Sequence, residues 1–220
     1  MEKTVISLGG SIFGESLDSY LKSITSVLKK YENYAIVVGG GPIARERINF
    51  LRQLGASEYH LDKMGIQATR LNALTVSLAL GNSMAIPTNI DDAIDLLNSY
   101  GKVVMGGTEP GHTTDAVSLL LAEAWGASRV LNITNVDSLY DRDPNLKGAK
   151  KIERISYPDL MDLLTREERK AGSNFPMDIL SINIAMRSGI DIMILSYKDE
   201  RNVKNALEGK KFSGTIVSKA

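Results

Sequence analysis

Three times along this chain a short β-favouring apolar run stops at glycine and gives way to helical periodicity, and a fourth run ends in a small polar turn. The clearest unit is KVVMGGTEPGHTTDAVSLLLAEAWG at 102–126. There Lys102 to Met105 reads as a strand, Gly106 and Gly107 halt it, and Val117, Leu120, Leu121 and Ala124 return at helical spacing. The same order occurs at 4–8, where the strand runs into Gly9, Gly10 and Ser11, with a helix over 17–31. It occurs again at 35–38, which runs into Gly39, Gly40, Gly41 and Pro42, with Pro42 suited to the first turn of a helix reaching about residue 54. The fourth strand, 129–133, ends in Thr134, Asn135, Val136 and Asp137.

The remaining periodicity predicts helices over 61–80, 91–99, 158–168, 176–187 and 200–207, a weak strand over 84–87, and strands over 190–195 and 214–217. Residues 139–151 lose all periodicity and read as a functional or mobile loop. Strands alternating with helices give an α/β fold: a mostly parallel central sheet with helices on both faces. In such a sheet the carboxyl ends of the parallel strands share one edge, and ligands bind in the crevice there. The four turns, at 9–11, 39–42, 106–114 and 134–137, are therefore expected to converge.

Composition limits what that edge can bind. With 220 residues the chain suits one domain. Its 26 basic and 26 acidic residues cancel, so no overall field draws it to nucleic acid or an anionic membrane, and phosphate binding must be local. The absence of cysteine excludes disulfides and thiolate metal ligands, and no apolar run approaches the ~18 residues of a membrane span. The start, MEKTVISLGG, reads as a strand rather than a signal peptide, so a cytoplasmic location is expected.

Glycine turns let backbone N–H groups approach phosphate oxygens, and helix N-termini add partial positive charge. The P-loop pattern does not occur. Gly39, Gly41 and Ala44 fit the dinucleotide pattern G-x-G-x-x-A, and Asp62 lies near the distance of its ribose-binding acid. No strand precedes Asp62, however, and that fingerprint needs its acid at a strand end. Asp115 and Asp178 each stand near a helix start. Each either favours that helix end or orients reacting phosphates, a basic partner or Mg²⁺; Thr114 or Asp115 is also a candidate N-cap. Arg45, one turn beyond Gly41, can bind phosphate oxygens bidentately. The two histidines, His60 and His112, lack a second ligand at metal spacing, and His112 is expected to make a turn hydrogen bond.

LGGS at 8–11, VVGGGPIAR at 37–45, LDKMGIQATRLNA at 61–73, VMGGTEPGHTTDAV at 104–117, TNVDSLYDRDP at 134–144, and MD at 177–178 followed by RSGI at 187–190 resemble the amino acid kinase superfamily. Within it they look most like the archaeal-type UMP kinases. The resemblance covers nearly the whole chain in order, and PGHTTDA is its most specific part. It implies a three-layer α/β/α sandwich, with an acceptor-binding lobe over about 1–130 and an ATP-binding lobe over about 131–220. It implies transfer of the ATP γ-phosphoryl group to UMP, giving UDP and ADP in pyrimidine biosynthesis, with Mg²⁺ carried by ATP and a hexameric assembly.

Carried over position by position, the resemblance puts Gly10, Ser11, Gly41 and Arg45 at the donor phosphates and Thr134, Tyr140 and Asp143 at the adenosine. It puts Gly40 at the acceptor phosphate, Asp62 at its ribose, and Thr108, Glu109, Pro110, Gly111, His112, Thr113 and Thr114 at its uracil and phosphate. Asp115 and Asp178 match the paired aspartates that organise the transfer site. Ser7 stands where many members carry a lysine, and Met177 and Asp178 replace the lysine of carboxylate-phosphorylating relatives. Both absences suit a nucleotide kinase, whose acceptor oxygen is already anionic and needs no strong general base. The rival readings are a superfamily kinase with an isopentenyl phosphate or carboxylate acceptor, and a nucleotide-binding regulatory or storage protein without turnover.

Overall fold

Within each central strand successive side chains enter different cores, and that alternation sets the layers. The computed structural model describes residues 3–14, 17–82, 85–142, 147–168 and 177–219. In chain order these form β1 (Thr4–Leu8), a 3₁₀ turn (Gly10–Phe13), α1 (Leu17–Leu28), β2 (Tyr34–Val38), α2 (Gly41–Gln53) and α3 (Glu58–Ala79). Then come α4 (Ile90–Tyr100), β3 (Lys102–Met105), α5 (Thr114–Trp125), β4 (Arg129–Thr134), β5 (Leu139–Tyr140) and β6 (Lys151–Ile152). The chain closes with β7 (Arg154–Ser156), α6 (Tyr157–Glu168), α7 (Ile179–Ser188), β8 (Asp191–Ser196), α8 (Glu200–Leu207) and β9 (Thr215–Ser218).

The main sheet has the order β3-β2-β1-β4-β8-β9-β7. From β3 to β8 every neighbour is parallel; β9 runs antiparallel to β8, and β7 pairs parallel with β9. Ile6, Leu8, Ile36, Val38, Leu131 and Leu195 join one core, beneath α1, α3 and α8. Val5, Val37, Val103, Val130 and Ile192 join the other, beneath α4, α5, α6 and α7. The strands are thus apolar on both faces, as covered parallel sheets require. This is the expected three-layer α/β arrangement.

Several local expectations need correction. Residues 85–87 form no strand, consistent with Pro87 lacking an N–H to donate, and Met84 lies outside the described residues. The aperiodic segment 139–151 is pinned at its ends, where β5 and β6 pair as an antiparallel hairpin. The short edge strand β7 was not anticipated. The helix expected over 176–187 starts at Ile179 with Asp178 as its cap, and Pro176 is not among the described residues.

Strand order reverses direction between β1 and β4: β1 leads to β2 and β3 on one side, and β4 to β8 on the other. A crevice opens at such a switch point, beyond the carboxyl ends of the strands. The ladder continues into the turns there, with Gly39 N–H donating to Leu8 O at 2.9 Å and Gly9 N–H to Ile133 O at 2.8 Å. The first two glycine turns then touch backbone to backbone. A Cβ on Gly10 would lie 2.1 Å from Gly41 N, and one on Gly39 2.5 Å from Gly10 N.

Gly10→Ala is therefore expected to cost more than about 3 kcal/mol or to prevent folding, since neither backbone can yield without breaking the ladder. Gly55→Ala is the control: Gly55 has φ +82° but open space around a Cβ, so only the left-handed penalty of about 1–2 kcal/mol applies. Urea midpoints of the two variants measure the difference.

Candidate active site

The polar cluster at the switch point begins with strand register. Ser7 in β1 and Asn132 in β4 are paired neighbours on the sheet face that α5 covers. Ser7 Oγ donates to Asp115 Oδ1 at 2.7 Å, and Asn132 Nδ2 donates to the same oxygen at 3.3 Å. Asp115 is free for these contacts because Thr113, rather than Thr114 or Asp115, caps α5: Thr113 Oγ1 accepts the Ala116 N–H at 3.1 Å. Burial pushes the Asp115 carboxyl up to about 7, against the Ser7 hydrogen bond and with help from the negative charge of Asp178.

Asp178 makes two hydrogen bonds, the first of which is the helix-end role expected of it. It caps α7, its Oδ1 accepting the Ser181 N–H at 2.9 Å, while its Oδ2 accepts the Thr113 hydroxyl. A hydrogen-bonded path thus links the loop before α5 to the start of α7, and the two aspartates stand close enough to feel each other's charge.

Beside them, Gly41 opens α2, whose first N–H groups have no intrahelical partner. The Ser11 hydroxyl is shut in next to this turn with no hydrogen bond to a described residue. Arg45 lies exposed on α2, one turn in, without an ion pair among the described residues. Asn72 of α3 reaches the turn from behind, Nδ2 donating to Gly39 O at 2.8 Å and Gly40 O at 3.0 Å.

The third turn, 106–114, is clasped along α3. Thr69 Oγ1 accepts the Gly107 N–H at 2.7 Å, and Arg70 donates to Gly107 O, Thr108 O and Thr88 O at 3.2–3.3 Å. Nearer the helix start, Asp62 Oδ2 accepts the Gly111 N–H at 2.8 Å. Asp62 sits on a helix that follows α2 with no intervening strand, which removes the dinucleotide reading. The His112 backbone N–H closes a turn onto Glu109 O at 3.3 Å, and the His60 ring pairs with Ser57. Glu109, His112 and Thr113 are exposed; Thr108, Pro110 and Thr114 are half-buried.

Beyond β4, Thr134 Oγ1 donates to Asn135 Oδ1, and Tyr140 on the β5–β6 hairpin donates to Asp137 Oδ1 at 3.1 Å. Asp137 also pairs with Lys151 at 2.6 Å. No hydrogen bond ties Tyr140 to the glycine turns among the described residues, and Asp143 lies outside those residues. Asn132, Thr69 and Asn72 were not anticipated, and Arg70 had no assigned role. Asn132 carried a signal nonetheless, as the one amide in the otherwise apolar run VLNI of a strand buried on both faces.

The description of the amino acid kinase family matches residues 2–196. The uridylate kinase of Thermoplasma volcanium is 46% identical over 95% of this chain and 94% of its own length. That of Archaeoglobus fulgidus is 40% identical over 98% of this chain and 100% of its own. Among solved structures, the crystal structure of the Archaeoglobus fulgidus uridylate kinase superposes with a TM-score of 0.86 at 38% identity, covering 98% of this chain and 100% of that one. The UMP kinase from Ureaplasma parvum, at 21% identity and covering 99% of each chain, shares the fold with a TM-score of 0.79.

The raised Asp115 pKa sets a pH test. The unfolded chain releases this proton near 3.9 and the folded chain near 7, so Asp115 erodes stability as pH rises between those values and costs a constant amount above. Asp115→Asn keeps an oxygen for Ser7 and should be the more stable protein at about pH 8, at about 1.4 kcal/mol per pH unit of displacement. Urea unfolding at about pH 8 and pH 4.5 should show that gap shrinking on acidification; an equal gap at both would mean that charge is not the cost.

Proposed function

The chain belongs to the amino acid kinase family, and we propose that it is a nucleoside monophosphate kinase that transfers the γ-phosphoryl group of ATP to UMP, giving UDP and ADP. The observation that carries this reading is the convergence, at one switch point, of the glycine turns, the loop over 106–114, which Thr113 ties to Asp178, and Asp115, close enough to Asp178 to feel its charge. The relatives named uridylate kinase, matched over nearly their whole length, support the choice of UMP.

In this reading Gly10, Ser11, Gly41 and Arg45 hold the donor phosphates, and Gly40 meets the acceptor phosphate. The Ser11 hydroxyl, which has no hydrogen bond among the described residues, and the first N–H groups of α2 suit that task. Asp62, with Oδ2 committed to Gly111, offers Oδ1 to the ribose, while residues 108–114 enclose uracil. Thr134, Tyr140 and Asp143 serve adenosine, so the donor lies in the lobe after about residue 130 and the acceptor in the lobe before it. A cytoplasmic place in pyrimidine biosynthesis goes with these substrates.

Two anions must meet in line, so positioning and charge neutralisation dominate the barrier. Ser7 supplies a hydroxyl where a lysine would bring charge, and spends it on Asp115. The positive side therefore rests on Arg45, the α2 N-terminus and Mg²⁺. Two carboxylates at the crevice fit an ion that keeps its other positions for water and phosphate oxygens. Mg²⁺ brought by ATP would neutralise phosphate charge; Asp115 and Asp178 would orient it.

An assembly of several copies is part of the proposal. Leu71, Leu74 and Leu78 form one apolar stripe on α3, at 52%, 43% and 62% exposure, which is more than an isolated helix face leaves to water without reason. Light scattering should give a sixfold multiple of 24.0 kDa, and a lone 24.0 kDa species would remove the hexamer.

ADP release from Mg-ATP, assayed with UMP, CMP, AMP, isopentenyl phosphate and glutamate, should respond to UMP. A response to another acceptor alone, or ATP binding without turnover on any of them, would overturn the reading. Arg45→Ala should lower kcat/KM by about 10²–10³-fold, the scale of one charge-clamp contact. Near wild-type turnover would take Arg45 out of the mechanism.

A further inference from the structure

Two successive peptide units of the β2–α2 turn are held from behind by a single side chain. Asn72 is 5% exposed, on the buried face of α3, and its Nδ2 bonds both Gly39 O and Gly40 O, at 2.8 and 3.0 Å. A trans peptide is planar, with its N–H pointing opposite to its C=O. Holding the Gly39 carbonyl toward α3 therefore turns the Gly40 N–H away from it, and holding the Gly40 carbonyl does the same for the Gly41 N–H. Neither N–H donates to a described residue.

Glycine peptides rotate more freely than others, and Gly41 sits at φ +64°, so the turn does not set these directions by itself. The β1 turn packs tightly against Gly39 and Gly41 and so fixes where the turn lies, but among the described residues it accepts no bond from the Gly40 or Gly41 N–H and does not fix where those groups point. Among the described residues Asn72 is the only side chain that donates to either carbonyl; the one backbone donor, the Ala44 N–H, reaches Gly40 O at a longer 3.4 Å and leaves Gly39 O to Asn72.

We propose that Asn72 is a positioning residue for phosphoryl transfer, which keeps the Gly40 and Gly41 N–H groups aimed at the phosphates of the two substrates. The inference rests on the kinase reading above. Donors already aimed at developing charge need no reorganisation during reaction, which is where oriented N–H groups contribute most. Thr69, three residues earlier on α3, grips Gly107 of the acceptor loop. A helix advances about 1.5 Å per residue, so α3 also sets a spacing of roughly 4.5 Å between the two grips along its axis. The cradle and the loop are thereby indexed to one rigid element.

Asn72→Asp tests the donor role with almost no change of shape. An ionised carboxylate faces two carbonyl oxygens with no proton to offer; a protonated one donates a single bond. Relative to wild type, kcat of Asn72→Asp with ATP and UMP should fall about 100-fold at about pH 8, and that ratio should recover about tenfold by about pH 5.5. Asn72→Ala, with no proton to gain, should be impaired at a ratio to wild type that does not change with pH. A flat ratio for Asn72→Asp, or activity of both variants within about threefold of wild type, overturns the proposal.

If Asn72→Asp does not fold, Asn72→Ala decides. A kcat loss of about tenfold or more with wild-type circular dichroism and melting supports positioning. Loss of folding in both variants, or a lowered melting temperature with unchanged kcat, assigns Asn72 to stability alone and overturns it. Wild-type protein inert toward UMP would instead count against the kinase reading.

Discussion

The contact between the backbones of Gly10 and of Gly39 and Gly41 is the constraint on which the site depends. It exists only because three residues lack a Cβ. It seats the ends of β1 and β2 against each other, lifts the start of α2 over the crevice, and leaves a turn with nothing but peptide groups to present. A binding surface made of main chain is well suited to oxygens of a phosphate, but it gives up the side chains that would hold it in shape. The neighbouring helix α3 supplies them, with Asn72 on one turn, and Thr69 and Arg70 on the other. Each of these residues turns a polar group of its own into an anchor for a glycine peptide.

Asp115 shows the opposite economy. A half-buried carboxylate between a sheet and a helix loses part of its hydration, and the Ser7 and Asn132 contacts do not fully restore it. A chain selected for stability alone would place an apolar residue there, beside Ala116 and Val117, which are fully buried. The site keeps a carboxyl group that is costly in the resting protein, and Ser7 is the hydroxyl that makes it tolerable. Where a lysine in that position would compensate the charge outright, serine offers Asp115 a hydrogen bond and no charge.

Charge is handled locally throughout. The 26 acidic and 26 basic residues cancel over the molecule, yet the crevice collects a helix N-terminus, an arginine without a partner among the described residues, and two coupled aspartates. Such an arrangement separates binding charge from charge that would only steer encounters.

Local pattern was enough for the architecture. Strand, glycine turn and helix follow each other in a period that any compact solution must honour, so the parallel sheet, its two cores and the edge where the turns meet could be read from residues a few places apart. Asp115, Asp178, Arg45 and the glycines belong to that level, since each stands at the border of an element. The pairing of Ser7 with Asn132 does not, because strand register depends on which strands become neighbours, and these two lie on β1 and β4 with β2, β3 and their helices between them in the chain. Nor does the choice of Thr113 as the cap of α5: threonine, threonine and aspartate in a row are equivalent until the fold commits Asp115 to Ser7. Asn72 is the plainest case. Along α3 it is one polar residue among many, and its meaning comes from two carbonyls 33 and 32 positions away, brought within hydrogen-bond distance only when α3 packs beneath the glycine turn.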